Sequence, residues 1–264
     1  MHAACEKEST DVADGEDQPR SGSSNHLLAR VPAAEFDALH RYLTPVTLDQ
    51  GQILYEPGDR LEHVYLLTSG MISLVTVMKD GRTAETATVG REGAVAMSAG
   101  GYVDDAFVRF IVQIPGTALR TTAKGFEQMV DDSVRFCSAV SRWREVFARS
   151  ALQAVACNAV HHVRERCARW IATTHDRTEA NRLPLTQEFL AEMLGVKRNA
   201  ISIVARELQA EGLIDYVRGR ISVIDRPGLE RAACECYGII RGETAKLFAD
   251  PLSDECDECD ECDE

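Results

Sequence analysis

The chain has 264 residues, 45% of them hydrophobic and 27% charged, and its 29 Lys and Arg against 42 Asp and Glu give a formal net charge of -13. That length suits one large domain or two small ones, and no run approaches the roughly 18–20 apolar residues of a membrane span. Acidity of this size argues against a nucleic-acid partner only if it is spread evenly, and it is not: residues 1–24 hold six acids and two bases, residues 250–264 nine acids and no base, and residues 25–249 carry 27 of each sign.

Residues 1–24 mix Glu, Asp, Ser and Gly with almost nothing apolar, too little to repay the entropy of ordering, and are expected to be a disordered acidic arm. They also lack the apolar core of a signal peptide, so the chain is read as cytoplasmic. Its nine cysteines are then expected as reduced thiols, with Cys137, Cys157 and Cys167 as small buried hydrophobes in helical patterns.

Residues 25–133 read as one β-rich domain. Short β-rich runs broken by Gly and Asp occupy 52–55, 63–67, 71–78, 83–89, 107–114 and 118–121. In one of them Val108, Phe110, Val112 and Ile114 alternate with Arg109 and Gln113, the period of a half-buried strand. Lys79-Asp80-Gly81-Arg82 predicts a tight type I′ hairpin turn. Many short strands with glycine corners predict a compact antiparallel β-roll of the jelly-roll, cupin-like kind.

After Ala123 the period changes to that of a helix. Phe136, Val140, Trp143, Phe147, Ser150, Ala154 and Cys157 form a seam spaced 4, 3, 4, 3, 4 and 3. So narrow a stripe suits helix-on-helix pairing, and residues 134–163 are read as a dimerisation helix meeting the same helix of a second copy.

Residues 164–249 carry the strongest local signal. Thr186 can cap a helix that starts at Gln187 and stops at Gly195, a natural left-handed C-cap. A second helix begins at once and buries Ile201, Val204, Ala205 and Leu208, leaving Lys197, Arg198, Asn199 and Ser202 on one exposed end. This is a helix-turn-helix, and the strands around Arg218-Gly219-Arg220 add a basic wing. Arginine grips guanine and asparagine adenine through paired hydrogen bonds, so Arg198 and Asn199 are the expected base readers. Thr186, Gln187, Lys197, Ser202, Arg206, Arg218 and Arg220 are expected at phosphates or as orienting groups. The whole is an α+β chain: β-roll, long helix, winged helix-turn-helix.

That order of parts resembles the Crp/Fnr superfamily of bacterial transcription regulators. The likeness is carried by Leu54-Tyr55-Glu56-Pro57-Gly58-Asp59, Val64-Tyr65-Leu66-Leu67-Thr68-Ser69-Gly70, Val89-Gly90-Arg91-Glu92-Gly93 and residues 183–224. It implies that the roll, residues 25–133, is a sensor domain, and it implies a homodimer on a palindromic double-stranded operator, with RNA polymerase as a further partner. Arg198 falls on a base-contacting arginine of the family, whereas Asn199 replaces the usual glutamate and Ile203 a further DNA-contacting arginine, so the operator sequence does not carry over. The resemblance also marks Gly90, Arg91, Glu92 and Gly93 as an effector cassette, a short helix with Glu92 near a ribose. The phosphate-neutralising Arg-Ser pair should precede Ala106, but Asp104-Asp105 stand there, and two carboxylates repel a phosphate. The effector is therefore expected to be something other than cyclic AMP.

Residues 250–264 are read as a second disordered tail, in which Cys256, Cys259 and Cys262 at two-residue gaps are weak metal candidates that Cys234, Cys236 or a histidine would have to complete. Metal- or redox-responsive regulation through that tail, or a scaffold acting through protein contacts, is the alternative function. No enzyme is expected: His161, His162 and His175 read as surface histidines without a nucleophile or oxyanion donors around them.

Overall fold

The computed structural model describes residues 24–249 apart from 102 and 179. The acidic arm (but for Ser24) and the Cys256, Cys259 and Cys262 tail lie outside the described residues.

A short 3-10 turn (Leu28–Arg30) and helix α1 (Ala33–His40) lead into the roll, whose strands are β1 (Thr44–Leu48), β2 (Ile53–Tyr55), β3 (His63–Leu67), β4 (Met71–Val77), β5 (Thr83–Val89), β6 (Ala94–Val95), β7 (Arg109–Ile114) and β8 (Gly116–Thr122). They form two antiparallel four-stranded sheets, ordered β1-β8-β3-β6 and β2-β7-β4-β5. Their inner faces bury Leu48, Val64, Leu66, Ile72, Val89 and Val112. The Asp80-Gly81 turn departs from the expected type I′ geometry. Only Gly81 has a positive φ, +83°, and the amide of Gly81 bonds to the carbonyl of Met78 at 2.9 Å. The loop is thus a type I turn closed by a left-handed glycine, while Asp80 binds the Arg82 guanidinium at 2.8 Å. The φ-positive pair instead sits at the wing, where Arg218 and Gly219 have φ of +49° and +74°.

Helix α2 (Ala123–Asp132) closes the roll, and α3 (Val134–Val160) follows at once, capped by Ser133, whose hydroxyl accepts the Phe136 amide at 3.1 Å. At 1.5 Å per residue its 27 residues span about 40 Å. The predicted seam is covered at both ends within the chain, while Phe147, Ser150 and Ala154 between them are half-buried. Phe136, Val140 and Trp143 are buried against the roll, and Cys157 at the far end packs with Cys234 and Cys236. The face that stays open is the neighbouring one, with Leu152 72% and Val155 69% exposed in line with exposed Ala148 and Ala159.

Beyond a sharp corner at His161-His162 come α4 (Val163–Thr178), β9 (Arg182–Leu183), α5 (Gln187–Met193), α6 (Arg198–Ala210), β10 (Ile214–Val217), β11 (Arg220–Val223), α7 (Arg226–Ala232) and α8 (Cys236–Ala249). The small sheet runs β10-β11-β9. Helix α8 folds back along α3, joined to it by the Arg149–Glu243 pair at 3.1 Å. The apolar cluster under α4, α5 and α6 also takes in Met71, Val75 and Ile114 of the roll, so sensor and reader share a core.

Candidate nucleic-acid interface and sensor site

The Thr186 hydroxyl accepts the Phe189 amide at 3.1 Å and starts α5. Gly195, at φ +64°, reverses the chain, and Lys197 is the extended residue at the start of α6. Ile201, Val204, Ala205 and Leu208 face inward. Lys197, Arg198, Asn199, Ile203 and Arg206 are exposed, so the end of α6 presents two cations and an amide followed by an apolar side chain. Ser202 is only partly exposed; it donates to Gln187 Oε1 at 2.6 Å and fixes α5 to α6. Arg206 folds back to donate to the Ser202 carbonyl at 3.1 Å. In the wing, Val217 pairs with Arg220 across the Arg218-Gly219 turn. Arg198, Arg218, Gln187, Thr186 and Tyr216 together line an open groove between α5, α6 and the wing tip, and Arg220 lines the opposite side of the wing with Arg182. Of the residues read from the sequence as DNA-facing, Thr186, Gln187, Arg198 and Arg218 share this groove, whereas Ser202 is held between α5 and α6 and Arg220 lies on the other side of the wing.

The effector cassette is placed differently from its expectation. Residues 91–92 form a turn, and no helix forms among the described residues between 90 and 108. Glu92 points away from the interior of the roll. Its carboxylate accepts the Gly90 amide at 3.0 Å and pairs with Arg177 of α4 at 2.7 Å, both side chains nearly excluded from water. Thr88 also bonds the Arg177 guanidinium. A Cβ at Gly90 would stand 2.9 Å from the Cβ of Arg177, and one at Gly93 would lie 2.1 Å from the Trp143 ring. These glycines make room for packing between domains. Arg91 borders a cleft of about 250 Å³ between the roll, α4 and α8.

The sensor cavity lies nearby, between the roll and α3, with a volume of about 620 Å³. Leu74, Val95, Val108, Phe110 and Phe147 dominate its wall, and Asp105 and Arg144 are its charged members. Arg144 donates to the Met97 carbonyl at 3.2 Å. Asp104 binds Arg60 at 3.0 Å and Arg109 binds Glu56 at 2.9 Å, so neither Asp104 nor Arg109 is free to serve a ligand.

Strand β5 joins this cavity to the reader. Thr86 and Ala87 border the cavity, while the neighbouring Glu85 accepts from Ser73 at 2.6 Å and from the Trp170 indole of α4 at 2.7 Å. Glu85 as a residue is only half-buried, but its carboxyl is turned inward, and loss of solvent raises its pKa to about 7. Thr83 of the same strand donates to Glu192 of α5 at 2.8 Å. None of these contacts has a signature in the sequence, because a lone Glu in a strand reads as a solvent-facing residue.

A β-roll sensor packed on a winged helix-turn-helix whose reading surface is open defines a DNA-binding transcription regulator. Residues 45–133 match the cyclic nucleotide-binding domain family and residues 165–232 the Crp-like helix-turn-helix domain family. The chain belongs to the Crp/Fnr family of regulators. Among solved structures it is similar to the c-di-GMP-responsive global regulator CLP of Xanthomonas campestris, with 18% identity, 73% of this chain and 99% of that chain covered, and a TM-score of 0.60. A CRP-family transcriptional regulator of Thermus thermophilus shows 19% identity, 71% and 96% coverage and a TM-score of 0.59. FixK2 of Bradyrhizobium japonicum shows 15%, 73% and 98%, and 0.57. At these identities the likeness is one of fold. No curated protein matches the sequence. Among the described residues, no helix is long and apolar enough to cross a membrane.

Proposed function

We propose that the chain acts as a homodimer that reads a palindromic operator, each copy placing α6 in the major groove. The observation that carries this reading is the cluster of Lys197, Arg198 and Asn199 at the exposed start of α6, beside the Arg218-Gly219 wing tip. Arg198 and Asn199 read base edges, Ile203 offers its apolar side chain to a thymine methyl, and Lys197, Arg218 and Arg220 track phosphates. Contact with RNA polymerase belongs to the same reading. On a gel shift with the protein's own upstream DNA, Arg198→Ala is expected to weaken specific binding by about 1–3 kcal/mol, roughly five- to 150-fold. Failure of both proteins to bind at low salt overturns the reading.

The dimer is formed by the exposed stripe of Ala148, Leu152, Val155 and Ala159, spaced 4, 3 and 4, which is the period of a two-helix seam. Leu152→Asp combined with Val155→Asp is expected to give a monomer by light scattering. Affinity for a two-half-site operator should then fall by about a hundredfold or more, since one half-site no longer assists the other. A dimer that survives both changes places the interface elsewhere.

The sensor ligand is a mostly apolar small molecule. The apolar wall of the 620 Å³ cavity supports this. Titration calorimetry with cyclic AMP and cyclic GMP is expected to show no binding, and micromolar affinity for either overturns the assignment.

A further inference from the structure

Four side chains at the α3–α4 corner are not used by this reading. Cys157 sits in the last turn of α3, and His161, one turn later, is the residue that ends it, its amide bonding to the Cys157 carbonyl at 3.1 Å. Cys234 and Cys236 flank the start of α8, which folds back onto the same place. The three sulfurs and one ring nitrogen lie within 4.8 Å of one another. Cys157 Sγ is 3.5 Å from Cys234 Sγ, and Cys236 Sγ is 3.6 Å from His161 Nδ1.

We propose that Cys157, His161, Cys234 and Cys236 bind one tetrahedral Zn²⁺ that ties the end of α3 to the start of α8.

Distances decide the nuclearity. With Zn–S of about 2.3 Å and Zn–N of about 2.0 Å, the edges of a tetrahedral site are about 3.8 Å between sulfurs and about 3.5 Å between sulfur and nitrogen. The Cys157–Cys234 and Cys236–His161 separations match these within a few tenths of an ångström, and none of the four ligand atoms is more than 4.8 Å from another, so a small closing movement of the side chains seats one ion. An iron–sulfur cluster places several metal atoms between its thiolates and needs a wider cage. Three thiolates and an imidazole are a soft donor set, suited to Zn²⁺ and poor for Mg²⁺ or Ca²⁺.

The surroundings are those of a ligand set. His161 Nε2 is 3.0 Å from a Glu235 carboxylate oxygen, which holds the proton on Nε2 and leaves Nδ1 for the metal. The Gln153 amide donates to Cys236 Sγ at 3.0 Å. Three thiolates with Zn²⁺ leave one negative charge, and the positive charges of Arg166 and Arg169 act on Cys157. The Nε of each of these two arginines is buried without a hydrogen-bond partner, so compensating charge is already in place. Three neutral thiols packed as hydrophobes, the sequence expectation for Cys157, leave these two Nε atoms uncompensated, although Arg166 also donates from Nη2 to the Leu194 carbonyl at 2.6 Å. His161, expected as a surface histidine, has a side chain only 17% exposed. The available sequence signal is the four-residue step from Cys157 to His161, which puts both on one helical face.

The test uses full-length protein purified with its thiols reduced. Elemental analysis is expected to find about one Zn²⁺ per chain, both in the wild type and when Cys256, Cys259 and Cys262 are all replaced by Ser. Cys157→Ser and Cys236→Ser should each bind at least about tenfold less tightly. If those variants fail to fold, Co²⁺ loading of wild type still decides: tetrahedral visible bands and thiolate-to-Co²⁺ charge transfer are expected, with the charge transfer strengthened in His161→Cys, which supplies a fourth thiolate. The proposal is overturned if reduced wild type binds neither ion, if metal follows the three tail cysteines, or if Co²⁺ charge transfer is the same in wild type and His161→Cys.

Discussion

Replacing Glu92 with alanine is expected to lower the unfolding free energy by about 3–5 kcal/mol, because it strands the Arg177 guanidinium in the boundary between roll and reader. The pair is short, 2.7 Å, and neither side chain has useful access to water. The loss is mainly the cost of an uncompensated buried charge, so removing both partners should cost less than the two single changes together. A double-mutant cycle with Arg177→Met measures this, and a positive coupling of about 1 kcal/mol or more is expected. Urea unfolding has one tryptophan on each side of the boundary, Trp143 on α3 and Trp170 on α4, the only two in the chain. Additive single effects would mean that the ion pair does not join the two units.

The second large effect is a pH dependence set by Glu85. Its folded pKa is about 7 against an ordinary carboxyl value of 4.5, because burial disfavours the charged form. The folded protein therefore holds a proton that the unfolded chain has lost between these two values. The associated stability is complete below about pH 4.5 and disappears as pH rises through 7. Relative to Glu85→Gln, wild type should lose about 2–3 kcal/mol between pH 5 and pH 8, at 1.36 kcal/mol per pKa unit. Gln keeps the bond accepted from Trp170, and its amide donates to the Ser73 hydroxyl once that hydroxyl, which donates to Glu85 in the wild type, has turned, so it is a neutral reference of the same shape. Parallel stability curves for the two proteins would show that Glu85 is solvated.

The reader is legible from sequence because its signals are local. Thr186 caps, Gly195 turns, and the apolar spacing of Ile201, Val204 and Leu208 leaves only one face for Lys197, Arg198 and Asn199. The long helix is legible in extent but not in facing. Two stripes of the same period run along α3, one through Phe136, Val140 and Trp143 and the other through Ala148, Leu152, Val155 and Ala159. Only the roll and the returning α8 decide which is covered. The type I′ turn expected at Asp80-Gly81 occurs at Arg218-Gly219, because Asp80 keeps a negative φ while it binds Arg82 and the short β10–β11 hairpin forces Arg218 into the left-handed region. The cassette at Gly90 to Gly93 matches its family in spelling, but α4 brings Arg177 against it, and that contact joins Glu92 to a residue far along the chain. Likewise, Cys234 and Cys236 read from sequence as possible partners of the tail, since nothing local reveals that α8 folds back onto Cys157.

The central claim is that α6 reads DNA sequence. The most direct measurement is selection from random double-stranded oligonucleotides with full-length wild-type protein, with an Arg198→Ala, Asn199→Ala double variant in parallel. The account predicts enrichment by wild type of a palindrome whose half-site centres lie about one helical turn, roughly 10–10.5 base pairs, apart, and loss of that motif in the variant. Enrichment of the same motif by both proteins, or of none by wild type at low salt, would contradict it.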